Sequence, residues 1–108
     1  MQKETIESVI LVGLSVSSRD YDLHSDENTL DELAALVETA GGHVVARVLQ
    51  HKSTPEAATL IGDGKVQEVA ALAESLEADL VVFDNQLSPI QMRNLEQAIN
   101  RPIMDRTG

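Results

Sequence analysis

The sequence predicts an α/β domain in which a mainly parallel sheet of four to five strands carries helices on both faces. Three observations lead to this fold class. Apolar β-branched runs alternate with segments of helical period, the connections are short, and 43% of the 108 residues are hydrophobic while only 2% are aromatic. Such alternation favours parallel strands joined by right-handed crossovers. We therefore expect a single aliphatic domain over residues 1–108, a Rossmann-like three-layer sandwich.

The first half of the chain predicts a strand, a helix and a second strand. Residues 6–14 (IESVILVGL) are apolar without a helical period, as in a strand buried on both faces, and the polar residues 15–28 follow as a loop. Residues 29–40 (TLDELAALVETA) predict a helix that ends at a Gly-Gly pair, which can adopt the left-handed conformation. Residues 43–50 (HVVARVLQ) return to strand character.

The predicted helix at residues 29–40 has a start signal and an apolar stripe. Thr29 and Glu32 have the spacing of a capping box, in which the two side chains satisfy backbone N–H groups of the first turn. Apolar residues recur at helical spacing and are expected to face the core: Leu30, Leu33, Ala34, Leu36, Val37 and Ala40.

The second half begins with less regular segments. Residues 59–61 (TLI) are a candidate short strand, residues 62–64 (GDG) a turn, and residues 65–76 a helix. Residues 52–58 (KSTPEAA) are difficult to assign, because two short strands joined there could be antiparallel. The helix is expected to turn one apolar face inward, made of Val66, Val69, Ala70, Leu72, Ala73 and Leu76.

The last part predicts a strand, a helix and a final short strand. Residues 79–84 (DLVVFD) are the first of these, and residues 101–104 (RPIM) are the last. Between them, Ser88 is placed to be an N-cap, Pro89 stands where a missing N–H costs nothing, and Gln91 can reach back to the cap. The residues of this helix expected to pack inward are Ile90, Leu95, Ala98 and Ile99.

The charge balance and the absence of cysteine limit the function classes. Eighteen acidic and eight basic residues give a net charge of −10, which argues against nonspecific nucleic-acid binding and leaves only local RNA contacts. Without cysteine there is no disulfide, thiolate nucleophile or Cys-zinc site. The apolar runs are far shorter than the ~20 residues that span a bilayer, and no basic signal-peptide start is present. We therefore expect a cytoplasmic protein without a membrane span.

The GDGK sequence at residues 62–65 lies between a predicted strand and a predicted helix. Backbone N–H groups, the helix dipole and the Lys65 charge could hold an anion there. It is not a P-loop, because Thr59 and Val66 stand where that motif needs Gly and Ser or Thr. It is not a dinucleotide fingerprint either, since Gln67 stands at the third glycine position. The alternative is a tight turn without a ligand.

Polar side chains also follow the predicted strands. Asp84, Asn85, Gln86 and Asp105 would lie at the carboxyl edge of the sheet, where open α/β sheets usually bind ligands. The carboxylates could hold Mg²⁺ or position a nucleotide, or they could cap the next turn. The three histidines lack the spacing of helical metal ligands and are expected on the surface: His24, His43 and His51.

Charged residues are unevenly distributed. Seven acids and no Lys or Arg lie between Asp20 and Glu38, as in a docking face for a basic protein or a solvated surface. Four basic residues of the second half would form a small patch if they converge: Lys65, Arg93, Arg101 and Arg106.

Three strings are more specific than any single motif above: residues 58–69 (ATLIGDGKVQEV), 79–96 (DLVVFDNQLSPIQMRNLE) and 105–108 (DRTG). Together they resemble the N-terminal domain of the HflX family of GTP-binding proteins. The family pattern runs as an Ile-Gly-x-Gly-Lys turn, a strand ending in Asp, a Leu-Ser-Pro-x-Gln-x-Arg-Asn-Leu-Glu helix and Asp-Arg-Thr-Gly. Because the match needs three strings in register, it is specific, and it extends from about Val9 to Gly108.

The resemblance implies a part of a ribosome-associated GTPase that binds the large ribosomal subunit and its rRNA, and helps to split or rescue stalled ribosomes under heat stress. In that family a helical hairpin and a GTPase domain follow this domain and would be its partners. Neither lies within the 108 residues, so GTP, Mg²⁺ and hydrolysis would belong to the absent GTPase domain. We expect no catalytic or metal-binding residue and no resident cofactor here.

Three functions remain open for these residues. The first is a ribosome-docking module in which phosphates contact Gly62, Gly64, Lys65, Arg93, Asn94 and Arg106. The second is an ATP-binding domain with weak NTPase activity and phosphates on the turn at residues 62–65, since ATP binding is attributed to some members of the family. The third is a purely structural domain that packs on the missing helices.

Overall fold

The computed structural model describes residues 7–17 and 25–106. The predictions for His24, for the start of the acidic run at Asp20 and for the final Thr107-Gly108 lie outside the described residues. Strands and helices alternate, as expected. In chain order they are β1 (Ser8–Val16), α1 (Glu27–Thr39), β2 (His43–Lys52), α2 (Asp63–Ser75), β3 (Leu80–Phe83), α3 (Pro89–Ile99) and β4 (Ile103–Asp105).

The four strands form one parallel sheet in the order β2-β1-β3-β4. β1 is central: it pairs with β2 along its whole length and with β3 over four residues, placing Val12 opposite Phe83. β3 pairs with the edge strand β4. The α/β fold class with a mainly parallel four-stranded sheet is confirmed.

Helices cover both faces of the sheet, and each face has its own aliphatic core. On one face, Ile10, Val12 and Leu14 of β1 pack with the buried residues of α2 and α3. On the other face, Val9 and Leu11 pack against α1. Because alternate residues of β1 are buried on opposite faces, its middle part has to be free of polar side chains, as residues 9–14 (VILVGL) are.

The sequence predicted the start of α3 correctly but not the start of α1. α3 begins as expected: Ser88 and Gln91 form a capping box with Pro89 in the first turn. For α1 the predicted Thr29–Glu32 box is wrong, because the helix begins two residues earlier and Asp26 is the N-cap. The Asp26 carboxylate accepts from the Thr29 N–H at 2.9 Å, and the Thr29 hydroxyl accepts from the Asp26 N–H at 2.8 Å. After α1, Gly41 adopts φ of 102°, which agrees with the predicted left-handed stop.

The candidate strand at residues 59–61 does not join the sheet. Instead, Leu60 forms an isolated antiparallel bridge with Glu56, with both N–H···O distances at 2.9 Å. The bridge closes a tight turn in which Leu60 has a φ of 67°. β2 ends at Lys52, so residues 53–61 form the connection that carries the chain to α2.

Several apolar residues predicted to face the core are exposed. Leu30, Leu33 and Ala34 of α1 are buried as expected, but Leu36 is 58% exposed and Ala40 is exposed. In α3, Leu95 and Ile99 are buried, whereas Ile90 is 66% exposed and Ala98 is exposed. Leu76 is exposed just after α2. The outer apolar side chains of these helices are thus not covered by any of the described residues.

β1 is approached closely by the segment that precedes α1. Ser25 is fully buried against Gly13, where a Cβ would lie 2.9 Å from the Ser25 Cβ and would overlap its hydroxyl oxygen. A glycine is therefore needed at this position so that the start of α1 can pack on the central strand. Among the described residues, no helix is long and apolar enough to cross a membrane.

Candidate functional site

The carboxyl edge of the sheet collects most of the candidate residues. All four strands are parallel, so their carboxyl ends meet at one edge, from which α1, α2 and α3 begin. The chain moves from β1 to β2 over one face and from β2 to β3 over the other. The neighbours β1 and β3 therefore form a switch point, the usual ligand-binding position in such sheets.

The GDGK segment forms the start of α2. Gly62 is the N-cap in extended conformation and has no side-chain capping bond, while Asp63, Gly64 and Lys65 occupy the first turn. The Gly62 N–H donates to the Gln50 Oε1 of β2 at 3.0 Å. The Lys65 ammonium lies 3.1 Å from the Glu68 carboxylate, one turn further along the helix. Among the residues that the structure describes, no side chain accepts from the first-turn N–H groups as a cap, but Lys65 already has a carboxylate neighbour.

The start of α3 lies beside the turn that leads into α2. The Gln91 amide donates to the Glu56 carbonyl at 2.9 Å, and the Asn94 amide donates to the Ala58 carbonyl at 3.0 Å. α2 and α3 also share one core on the same face of the sheet. The two helix starts that the sequence singled out therefore lie at one edge and on one face.

Asp84 is the centre of a buried polar network at the switch point. Its side chain is 1% exposed, and one carboxylate oxygen accepts from the hydroxyls of Ser25 and Thr29, both at 2.6 Å. The other oxygen accepts from Arg106, with Nε at 2.7 Å and NH2 at 2.6 Å. Arg106 also donates to the Thr29 carbonyl at 2.8 Å. The network joins the ends of β3 and β4 to the first turn of α1.

Asn85 closes the gap between β1 and β3 beyond their paired residues. Its amide accepts from the Leu14 N–H at 2.8 Å and donates to the Leu14 carbonyl at 2.9 Å, as a neighbouring strand would. Asp105 accepts from the Leu87 N–H at 2.8 Å and so holds the start of the loop before α3. The polar residues at the strand ends thus make structural hydrogen bonds, and the partners of Asp84 and Asp105 given above belong to other parts of the fold rather than to the next turn.

Metal ligation finds no support among the described residues. Across residues 7–17 and 25–106, no group of three or more His, Asp or Glu side chains is placed to hold a metal ion. His43 and His51 are exposed on β2. The carboxylates considered for Mg²⁺ are instead engaged with Arg106, two hydroxyls and a backbone N–H.

The candidate basic residues do not all converge. Arg101 lies at the opposite edge of the sheet, where it donates to the Ala73 and Ala78 carbonyls at the end of α2. Arg106 lies at the carboxyl edge but turns toward α1. Lys65 and Arg93 remain on the face of α2 and α3, and Arg93 is exposed without a hydrogen bond or ion pair to any described residue. Contact of the candidate residues with phosphate stays a prediction.

Sequence reasoning missed the residues that organise this edge. Ser25 and Thr29 bind a carboxylate 59 and 55 residues further along the chain. Gln50 of β2 accepts from the N–H of Gly62, the N-cap residue of α2. None of these contacts has a local sequence signal. A buried aspartate at a strand end does need hydrogen-bond donors, and Arg106, which directly follows β4, was a candidate donor for Asp84.

Comparisons with known proteins agree in pointing to one group. A family profile described as GTP-binding GTPase N-terminal matches residues 27–108. A GTPase HflX of Alkalihalophilus pseudofirmus is 41% identical over 107 residues, covering 99% of this chain and 25% of that protein. A GTPase HflX of Escherichia coli is 35% identical over 83 residues, covering 77% of this chain and 20% of that protein. The chain thus spans a quarter or less of these relatives.

Solved structures give the same fold. A crystal structure of a mutation variant of SsGBP superposes with a TM-score of 0.67 over 94% of this chain and 29% of that one. The sequence identity is 18%, so the similarity concerns the fold alone. The arrangement of strands and helices is therefore one that occurs within a longer chain.

Proposed function

The chain belongs to the HflX family of GTP-binding proteins, of which it is the N-terminal domain, and on this basis we propose that it docks the GTPase on the large ribosomal subunit. The family profile and the relatives confirm the resemblance found in the sequence. Docking and a role in ribosome splitting or rescue are our proposals. GTP hydrolysis is assigned to the rest of the longer protein, since no P-loop pattern occurs in these 108 residues.

The observation that carries this proposal is the position of Arg93. Of the six Lys and Arg residues in the described part of the chain, four lie next to carboxylates: Arg47, Lys52, Lys65 and Arg106. Arg101 is held by backbone carbonyls. Arg93 is exposed and has no such partner among the described residues. An unpaired guanidinium on an acidic domain is suited to a local phosphate contact.

Lys65 is the second base in the proposed contact. It lies on the same face, and its ion pair with Glu68 is partly exposed to water, where such pairs contribute little. Exchange of Glu68 for a phosphate oxygen would therefore cost little. With a net charge of −10, the rest of the surface repels RNA, so binding should depend on these two bases and fall steeply with salt.

Sedimentation with purified large ribosomal subunits tests the proposal. We expect a Lys65→Ala/Arg93→Ala variant to bind more weakly and to lower the slope of log K against log salt by about 2, one for each lost phosphate contact. Arg47→Ala is the matched control, because Arg47 pairs with Asp31 on the α1 side. Salt slopes that are equal in all three proteins would refute the proposed contact.

The uncapped start of α2 favours a second candidate, ATP binding at residues 62–65. No side chain within residues 7–17 and 25–106 caps the first-turn N–H groups, so phosphate oxygens could accept from them while Lys65 adds its charge. Calorimetry with MgATP tests this candidate. We expect heat of binding in the unaltered chain and a weaker signal in Lys65→Ala. A flat titration at millimolar ATP would eliminate it, whatever the result with ribosomes.

A further inference from the structure

One part of this acidic domain has a surface without acidic residues. Residues 57–62 (AATLIG) and 85–95 (NQLSPIQMRNL) contain neither Asp nor Glu, whereas α1 and α2 each expose several. The side chains of Gln91 and Asn94 donate to backbone carbonyls of the turn before α2 and so join the two segments. We call their exposed part the turn–helix surface, which is made of Ala57, Ala58, Ile90 and Arg93.

The turn in this surface is held in an unfavourable backbone conformation. Leu60 is buried and has a φ of 67°, a region that bulky residues rarely adopt and that persists only where surrounding contacts impose it. Here the bridge to Glu56 and the core shared with α2 and α3 impose it. The fold thus keeps two small exposed residues, Ala57 and Ala58, on a rigid turn, where the backbone of a partner can approach closely.

Ile90 places an apolar side chain beside the unpaired guanidinium. At 66% exposure it is the most exposed large apolar residue among those that the structure describes. It lies in the first turn of α3, three residues before Arg93, and residues at this spacing are neighbours on one face of a helix. An apolar contact and a phosphate contact are therefore available side by side.

This combination suits an unpaired nucleotide better than a duplex. A duplex presents phosphates and ribose hydroxyls while its bases stay stacked inside, so Ile90 would gain little from it. An unpaired base offers an apolar face that Ile90 can cover, and its phosphate can accept from Arg93. Without carboxylates in these two segments, the phosphate is not repelled. One isoleucine and two alanines are a small apolar area for a protein partner.

We propose that the turn–helix surface binds an unpaired nucleotide of a ribosomal RNA loop. The base packs on Ile90, the phosphate accepts from Arg93, and the sugar–phosphate backbone passes over Ala57 and Ala58. The inference rests on the proposed docking function, to which it adds the class of RNA and the residue that contacts the base. Because an isoleucine side chain has no hydrogen-bonding group, the site selects unpaired structure rather than a particular base.

The salt dependence of binding to purified large ribosomal subunits separates the two contacts. A base packed on Ile90 displaces no counterions, so Ile90→Ala should weaken binding about fivefold at every salt concentration, with the slope of log K against log salt unchanged. Arg93→Ala should also lower that slope by about 1. Leu76→Ala is the matched control, because Leu76 is likewise exposed but follows the end of α2 at the opposite edge of the sheet. Urea midpoints verify that each variant is folded.

Photo-crosslinking identifies what position 90 contacts. The 108 residues contain no cysteine, so Ile90→Cys and Leu76→Cys each accept a single benzophenone label. We expect the label at position 90 to crosslink to rRNA, at a nucleotide whose Watson–Crick edge reacts with dimethyl sulfate or carbodiimide in the free subunit. The label at position 76 should give no such product. A crosslink from position 90 to a ribosomal protein or to a base-paired nucleotide would overturn the proposal.

Failure of this inference differs from failure of the docking function. If the unaltered chain does not sediment with the subunits even at low salt, docking is refuted and the nucleotide contact with it. If the chain sediments with a salt slope that depends on Arg93, but Ile90→Ala binds as tightly as the unaltered chain, docking stands and the contact at Ile90 is overturned.

Discussion

Arg106→Ala is expected to lower the free energy of unfolding by about 3 kcal/mol, because it leaves the buried Asp84 carboxylate without its cationic partner. The hydroxyls of Ser25 and Thr29 still donate to that carboxylate, so the loss should lie near the low end for a broken buried pair. Urea denaturation gives this value from the shift in midpoint, with the slope unchanged.

Two further variants show whether the buried carboxylate causes the loss. Arg47→Ala also removes one guanidinium from an ion pair, but that pair with Asp31 is exposed and its loss should stay below about 1 kcal/mol. Arg106→Lys should recover part of the loss, since it restores the charge without the planar donor geometry. If Arg106→Ala and Arg47→Ala destabilise equally, the Asp84 network does not hold the domain together.

Gly13→Ala is expected to lower the free energy of unfolding by about 3 kcal/mol or more, because the added methyl group would overlap the buried Ser25, which packs on the central strand. Neither neighbour can move easily: Gly13 is paired with β2, and Ser25 is bound to Asp84. Thermal or urea unfolding of the purified variant measures the loss. Because the start of α1 would be displaced, less soluble protein is also expected.

Gly64→Ala is the matched control for this substitution. A Cβ at Gly64 meets nothing within 4 Å, and the residue is already helical, so the change should be neutral or stabilise the domain by up to about 1 kcal/mol. Ser25→Gly should rescue Gly13→Ala in part, since it removes the overlapping atoms. A Gly13→Ala variant as stable as Gly64→Ala would contradict the close packing of Ser25 on β1.

Local signals in the sequence predicted the elements and one of the two side-chain caps. Ser88, Pro89 and Gln91 define the start of α3 unambiguously, because three independent preferences coincide within four residues. The start of α1 was predicted wrongly, since the spacing of Thr29 and Glu32 indicated a capping box that is formed by Asp26 and Thr29 instead. Only the bonds from Thr29 to both Asp26 and Asp84 explain why the earlier start is adopted.

The candidate site could be predicted less well than the fold. The position of the polar residues at the carboxyl edge follows from strand direction alone. Their partners do not, because contacts such as that of Ser25 with Asp84 join residues 59 positions apart. Helical periodicity likewise predicted that Leu36 belongs to an apolar stripe, but it carries no information on what covers that stripe.

The ion pair between Arg106 and Asp84 also determines which parts of the domain would bear a force applied at the end of β4. β4 has only three residues and lies at the edge, so tension on the polypeptide beyond residue 106 meets this ion pair before it loads the ladder between β3 and β4. Through the Thr29 carbonyl the same guanidinium pulls on the first turn of α1. A displacement of Arg106 would therefore reach α1 through the Thr29 carbonyl and β3 through Asp84 at the same time.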